Sequence, residues 1–195
     1  PSVAGRRNAT VSIGSNDPDE NPFRINLLGF GIEPEMDVLG NGNAVVNGSS
    51  TPTINNHTHF GAEFVTGGAI VRTFTIENNE SATLNLTGTP KVAITGAHAS
   101  DFTLTAAPPS SVARFESTTF QITFNPSGSG ARTALLTIAN DDEDERPYTF
   151  AIEGVGTVPP SSADYTISTA NSTITITDAN GNGETMEVSE SNSNV

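Results

Sequence analysis

Apolar and polar residues alternate with a period of two along much of this chain. Ile70, Phe74 and Ile76 alternate with Val71, Thr73 and Thr75, and Phe120, Ile122 and Phe124 alternate with Gln121 and Thr123. The same period recurs at Leu84/Leu86, Val92/Ile94, Phe102/Leu104, Leu136/Ile138 and Tyr148/Phe150/Ile152. Alternation of this kind buries one face of a sheet while Thr, Gln and Arg face water. Turn residues punctuate the runs: Asn78-Asn79, Gly88, Gly96, Pro108-Pro109, Pro126 to Gly130, and Asn140 to Pro147. No long segment keeps a helical period without Gly or Pro. Short strands with turns at this spacing predict an all-β, antiparallel β-sandwich, with about eight strands from residues 35–156. Phe74, Ile76, Leu86, Phe120, Ile122, Phe124, Leu136, Ile138, Phe150 and Ile152 are the expected core.

The chain also repeats itself. Residues 7–34 align without a gap to residues 132–159, at an offset of 125, with ten of 28 positions identical. The identities are Arg7/Arg132, Ala9/Ala134, Ile13/Ile138, Asp17/Asp142, Asp19/Asp144, Glu20/Glu145, Pro22/Pro147, Gly29/Gly154, Gly31/Gly156 and Pro34/Pro159. Each copy reads strand, acidic turn, strand, Gly-x-Gly, Pro: a terminal hairpin followed by a linker. On this reading residues 1–33 are the closing hairpin of a preceding, truncated repeat, and residues 34–158 are one complete repeat of a tandem array. Residues 159–195 do not align with residues 34 onward and read as a linker and the start of a different β-rich module. Ile167, Ile174/Ile176 and Met186/Val188 mark its short strands.

Composition narrows the function classes. With 8 basic and 22 acidic residues the net charge is −14, and Lys91 is the single lysine. Such a surface repels phosphate, which argues against nucleic acid and anionic membranes as partners. Thr, Asn and Ser make up 64 of the 195 residues while only 15% are charged, which suits strands rather than a disordered polyampholyte. The absence of Cys excludes a disulfide scaffold, a Cys-zinc site and thiol catalysis. No apolar run approaches the ~18 residues of a membrane span. The chain opens on Pro1 with no leader-like stretch and reads as a piece of a longer polypeptide.

An ordered set of short motifs runs through residues 36–156. It comprises Val46-Asn47-Gly48 with Thr51-Pro52, His59-Phe60-Gly61, Arg72-Thr73-Phe74-Thr75-Ile76 with Asn78, and Leu84-Asn85-Leu86-Thr87-Gly88. Asp101-Phe102-Thr103-Leu104, Phe120 to Pro126 and Ile138 to Tyr148 follow. In these residues the segment resembles the choice-of-anchor D type of bacterial surface domain, related to the immunoglobulin-like sandwiches of the ASPM and Hydin group. His59 departs from the pattern, which carries Asp before Phe-Gly. The resemblance implies an immunoglobulin-like sandwich serving as a passive repeat of large secreted or outer-surface bacterial proteins, with no catalytic residues to carry over. The segment from Tyr165 to Glu190 looks like stretches found beside such domains.

Candidate chemistry is sparse. Asp141 to Glu145 are five consecutive carboxylates, and Asp17, Asp19 and Glu20 stand in register in the first copy. Carboxylates crowded on one tight loop repel one another, and Ca²⁺, a hard cation taking oxygen ligands in flexible geometry, relieves that repulsion. Asp142, Asp144 and Glu145, with Asp17, Asp19 and Glu20, are therefore the candidate calcium ligands. The competing reading is an Asx-stabilised turn with its charges left in solvent. Asp178-x-Asn180-x-Asn182-Gly183 matches the first half of an EF-hand loop, but Ser189 occupies the twelfth position, and an Asn-Gly hairpin turn accounts for it better. His57-x-His59 would place two imidazoles on one strand face, with Glu63, His98 or Asp101 as third ligand. Six Asn-x-Ser/Thr sequons follow from a composition so rich in these residues. No nucleophile elbow and no phosphate loop occur.

The expectation is a non-catalytic spacer or structural repeat of an adhesin, filament or other surface protein, outside a bacterial cell. Its partners would be neighbouring repeats, other copies of the chain or other surface proteins. The alternative is a module that binds glycan or a partner protein through a sheet edge or loops. Ten Phe, two Tyr and no Trp, with most Phe on inward periods, leave little for sugar stacking.

Overall fold

The alternating runs fold as strands in the computed structural model, which describes residues 5–159, 165–170 and 173–178. The chain divides into two compact units, 1–157 and 158–195. In the first, β1 (Gly5–Ile13) and β2 (Phe23–Gly31) form an antiparallel hairpin. Next come β3 (Met36–Gly40), β4 (Asn43–Ala44), β5 (His59–Phe64), β6 (Ile70–Asn78), β7 (Leu84–Asn85) and β8 (Ala93–Thr95). After a 3-10 turn at Ala99–Asp101 follow β9 (Phe102–Ala106), β10 (Ser111–Val112), β11 (Ser117–Phe124), β12 (Gly130–Ile138) and β13 (Tyr148–Thr157). In the second unit β14 (Tyr165–Ala170) pairs antiparallel with β15 (Thr173–Asp178). The anticipated strand at Met186/Val188 lies outside the described residues.

Two sheets make the sandwich: β4-β3-β6-β11-β9, and β5-β13-β12-β8. Setting aside the two-residue β4, and counting β5 as an added edge strand, the remaining strands in chain order form the A-B-E-D and C-F-G sheets of an immunoglobulin-like fold. The fold is all-β and immunoglobulin-like. One pairing departs from the antiparallel expectation, since β5 runs parallel to β13. After the short β4 the chain leaves the first sheet and enters the opposite one at His59, where β5 lies along the last strand. Gly40 lets the intervening segment cross closely, because a Cβ there would stand 1.8 Å from the Asn56 carbonyl oxygen.

All ten anticipated core residues are buried, each at most 2% exposed. Alternation aligns their side chains on facing sheets. Phe74 and Phe120 lie opposite each other in the β6–β11 ladder, with ring centroids 5.3 Å apart. Phe102 and Phe124 stack at 4.9 Å, and Phe60 meets Phe102 at 5.5 Å. Centroid separations of this size contribute beyond simple area burial. Phe124 packs over the backbone of β13, where a Cβ on Gly154 would come within 2.5 Å of its ring. A Cβ on Gly156 would lie 2.0 Å from the Gly128 carbonyl oxygen. The Gly-x-Gly of the repeat is thus a packing requirement of the closing strand.

Phe124→Ala should lower the stability of the chain by about 3–5 kcal/mol, the range for a buried aromatic lost from a core. Gly154→Ala should destabilise by about 1–3 kcal/mol by overpacking the same spot. In urea denaturation the double variant should lose less than the sum of the two, because each substitution relieves the other's fault. Strict additivity would show that ring and strand do not share that space.

Candidate metal centre in the acidic turn

The turn between β12 and β13 is built around one amide. Asn140 is buried, and its Oδ1 accepts the Asp142 N–H at 2.9 Å while its Nδ2 donates to the carbonyls of Ile138 and Glu145. That closes an Asx turn and explains why Asn, rather than another polar residue, ends the strand run. Asp141 leaves the turn sideways, accepting the Asn85 backbone and side-chain N–H groups at 2.7 and 2.6 Å. Asp142 points inward. It is wholly buried, and its Oδ2 accepts the N–H of Met36, the first residue of β3, at 2.7 Å. The turn therefore ties the closing hairpin to β3 of the opposite sheet and to β7.

Asp142 and Asp144 converge with Glu35, an oxygen of each lying within 4.8 Å of the others. Glu35 is held by its backbone, which donates to Asn78 Oδ1 at 3.2 Å and accepts from the Asn79 N–H at 2.9 Å. Two further oxygens near this group, Asp142 Oδ1 and Glu145 Oε2, are buried without a hydrogen-bond partner. Charge accumulates here. Burial, then repulsion from Asp142, Glu35, Asp37 and Asp144, pushes the Glu145 carboxyl up to about 7. Burial, then repulsion from Asp142, raises Glu35, and burial raises Asp142. The donors are all carboxylate oxygens, a set that suits a hard divalent cation.

Of the six sequence candidates, Asp142 and Asp144 come together. Glu145 contributes charge beside them without joining the three converging oxygens. Asp17, Asp19 and Glu20 are exposed, and they join no such cluster among the described residues. There the Asp17 N–H donates to Ser15 Oγ at 3.2 Å and the Asp19 N–H to Asp17 Oδ1 at 3.3 Å. Hydrogen bonding to Asp19 holds the Asp17 carboxyl below the usual range. Glu35 was not among the candidates. It sits just after the linker proline Pro34, 107 residues before Asp142, and only the docking of β3 beside the turn reveals it.

The histidine pair does not share a strand face. His57 lies in a turn with φ of 61°, its Nε2 3.4 Å from Arg72 Nη1, and burial, then the Arg72 charge, lowers its pKa. His59 begins β5, with its Nε2 3.4 Å from Glu153 and its Nδ1 accepting the Gly61 N–H. The suggested third ligands are engaged elsewhere: Asp101 with Arg132, His98 with the Thr133 N–H, and Glu63 with the Phe64 N–H. Beyond Asp178, the EF-hand-like loop lies outside the described residues. A shallow groove of about 440 Å³ borders the acidic turn, lined by Thr137, Ala139, Asn140, Arg146 and Pro147. It offers no aromatic face for a sugar.

No protein-family model matches the chain, and neither does any curated protein. Among solved structures, it is similar to a protein of unknown function from Porphyromonas gingivalis W83 at 12% identity and TM-score 0.46, covering 79% of this chain and 67% of that one. The Vibrio cholerae VesB protease matches at 14% identity and TM-score 0.37, over 51% of this chain and 29% of that one. The ASH/PapD-like domain 7 of human CEP192 matches at 13% identity and TM-score 0.36, over 59% of this chain and 81% of that domain.

A raised carboxyl still binds its proton in the folded chain at a pH where the unfolded chain has lost it. With chelator present, the Glu145 contribution should be complete below its ordinary value of 4.5 and lost as pH rises through about 7. Asp101 acts oppositely. Burial tends to raise its carboxyl, but hydrogen bonds from Arg132 and Ser127 outweigh that and lower it, so its contribution is lost below about pH 3.8. The urea midpoint should therefore peak in mildly acidic solution, and Glu145→Gln should flatten the decline between pH 4.5 and 7. A wild-type midpoint rising steadily to pH 8 would contradict this electrostatic account.

Proposed function

We propose that the chain is a non-catalytic structural segment of a tandem array of immunoglobulin-like sandwiches, a spacer in a large secreted or outer-surface bacterial protein of the choice-of-anchor D type. One observation carries this reading. The β1–β2 hairpin pairs Gly5 with Gly31 through Ile13 with Phe23, and the β12–β13 hairpin pairs Gly130 with Gly156 through Ile138 with Tyr148. At the offset of 125 the two registers coincide along their whole length. Gly5 and Gly130 share a left-handed φ, 91° and 90°.

What differs is the cover. Leu136, Ile138, Tyr148, Phe150 and Ile152 are buried, while their counterparts Val11, Ile13, Phe23, Ile25 and Leu27 are 41–49% exposed. Gly154 makes room for Phe124, whereas nothing approaches within 4 Å of the Cβ position at Gly29. The first hairpin thus carries the register, apolar face and glycine of a closing hairpin, without the opposite sheet that such a hairpin closes. In the proposed array the preceding repeat supplies that sheet. The domain boundaries then fall at residues 33/34 and 158/159, and neighbouring repeats are the principal partners. The strongly acidic surface and the aromatic-free groove agree with a spacer better than with glycan recognition.

Hydrogen exchange on the dilute monomer tests the reading. The Ile13 and Ile25 amides should exchange far faster than those of Ile122 and Ile138, because an isolated hairpin is marginal in water. Strong protection of Ile13 and Ile25 without self-association would overturn the boundary. Gly29→Ala should leave the urea midpoint of this chain unchanged, and should destabilise a longer chain that includes the preceding sheet. A saturable signal on a glycan array would replace the spacer with a binding module.

A further inference from the structure

The carboxylates of the acidic turn present two independent features. The first is convergence: oxygens of Glu35, Asp142 and Asp144 lie within 4.8 Å of one another although Glu35 comes from a different part of the chain. The second is an unmet bonding need. Asp142 is wholly buried, one of its oxygens is engaged by the Met36 N–H, and the other, Oδ1, has no partner. Glu145 Oε2, in the residue after Asp144, is buried and unpartnered as well. Buried polar atoms in folded proteins are ordinarily bonded, and a buried carboxylate oxygen left bare needs a reason.

Among the described residues, no basic side chain forms an ion pair with these carboxylates. Arg132 is paired with Asp101, and Lys91 donates to the Leu86 carbonyl at 2.7 Å. We propose that Glu35, Asp142 and Asp144 form a calcium site at the entry to the sandwich, with Asp142 as its buried floor. Each residue supplies a carboxylate oxygen, and water completes the six to eight ligands that Ca²⁺ takes. The ligand set favours Ca²⁺ over Mg²⁺. Three carboxylates on one ion would displace much of its hydration, and Mg²⁺, ordinarily held by one or two carboxylates, gives up its water shell reluctantly.

The location gives the ion a mechanical role. Glu35 directly follows Pro34 and precedes β3, so a bound cation would link the segment entering the sandwich to the turn of its closing hairpin. The site needs only this sandwich and stands whether or not the array reading holds. Stiffening of successive linkers would follow only if both are right.

The test uses the full chain stripped with chelator, titrated with CaCl₂ and followed by calorimetry and thermal melting. Ligand bound to the native state alone should raise Tm by about 5 °C or more once Ca²⁺ reaches ~100 times Kd. Asp144→Asn and Glu35→Gln should abolish both the heat and the shift, while Asp19→Asn in the first hairpin keeps them. Without calcium the first two variants should melt at or above the wild-type temperature, since each removes a repelling charge. An unchanged wild-type Tm at millimolar Ca²⁺ would overturn the proposal. So would an equal shift retained in Asp144→Asn, a response to Mg²⁺ alone, or calcium-free variants that melt below wild type.

Discussion

The ring of Phe124 occupies the space that a side chain at position 154 would need, and the closure of the two sheets depends on that vacancy. A β-hairpin cannot bury its own apolar face, so β12 and β13 are stable only while another sheet covers Leu136, Ile138, Phe150 and Ile152. The glycine in β13 lets the cover come close enough for Phe124 to stack on Phe102 and reach Phe60. Close packing across that seam makes the closure rigid, because a dense core transmits strain instead of yielding to it.

The acidic turn solves a second problem created by the same closure. The closing hairpin must be fastened to the strand that opens the sandwich, and the fastener is the Asp142 carboxylate on the Met36 amide. Burying a carboxylate to make that bond brings a desolvation penalty, and placing Asp144 and Glu35 beside it adds repulsion. A stabilising bond and a destabilising charge cluster therefore occupy the same few ångströms. The upward shift at Glu145 comes first from its own burial and then from this repulsion. It does not require a metal, whereas the bare Asp142 oxygen is a separate bonding deficit.

Alternation made the core legible in advance because a strand's side-chain period is two, so that each inward run reads directly as a list of buried residues. The repeat was equally legible, and its offset anticipates the common register of the two hairpins residue by residue. Other features depended on tertiary placement. The parallel pairing of β5 arises where the chain changes sheets, and no local periodicity records such a change. His57 and His59 looked like neighbours on a strand, but a positive φ at His57 turns the chain between them. Two of the three converging carboxylates were visible in the acidic run; Glu35 was not, since its approach to Asp142 depends on strand order rather than spacing.

Strand edges bear on how such a chain could meet others. The sheets end in β4 and β9 on one side of the sandwich and in β5 and β8 on the other, strands of two to six residues. Short edges are poor templates for adding a further strand, and a net charge of −14 opposes chance association of copies. The first hairpin is different, since Val11, Ile13, Phe23, Ile25 and Leu27 form an apolar face on strands of nine residues. Edge-on pairing would leave that face wet, so it is satisfied only by a sheet packed across it. A cover in the same chain is held at a high effective concentration, while one from another molecule must also overcome charge repulsion and lost translational freedom. On these grounds intramolecular closure prevails over exchange between chains wherever a preceding sheet is present.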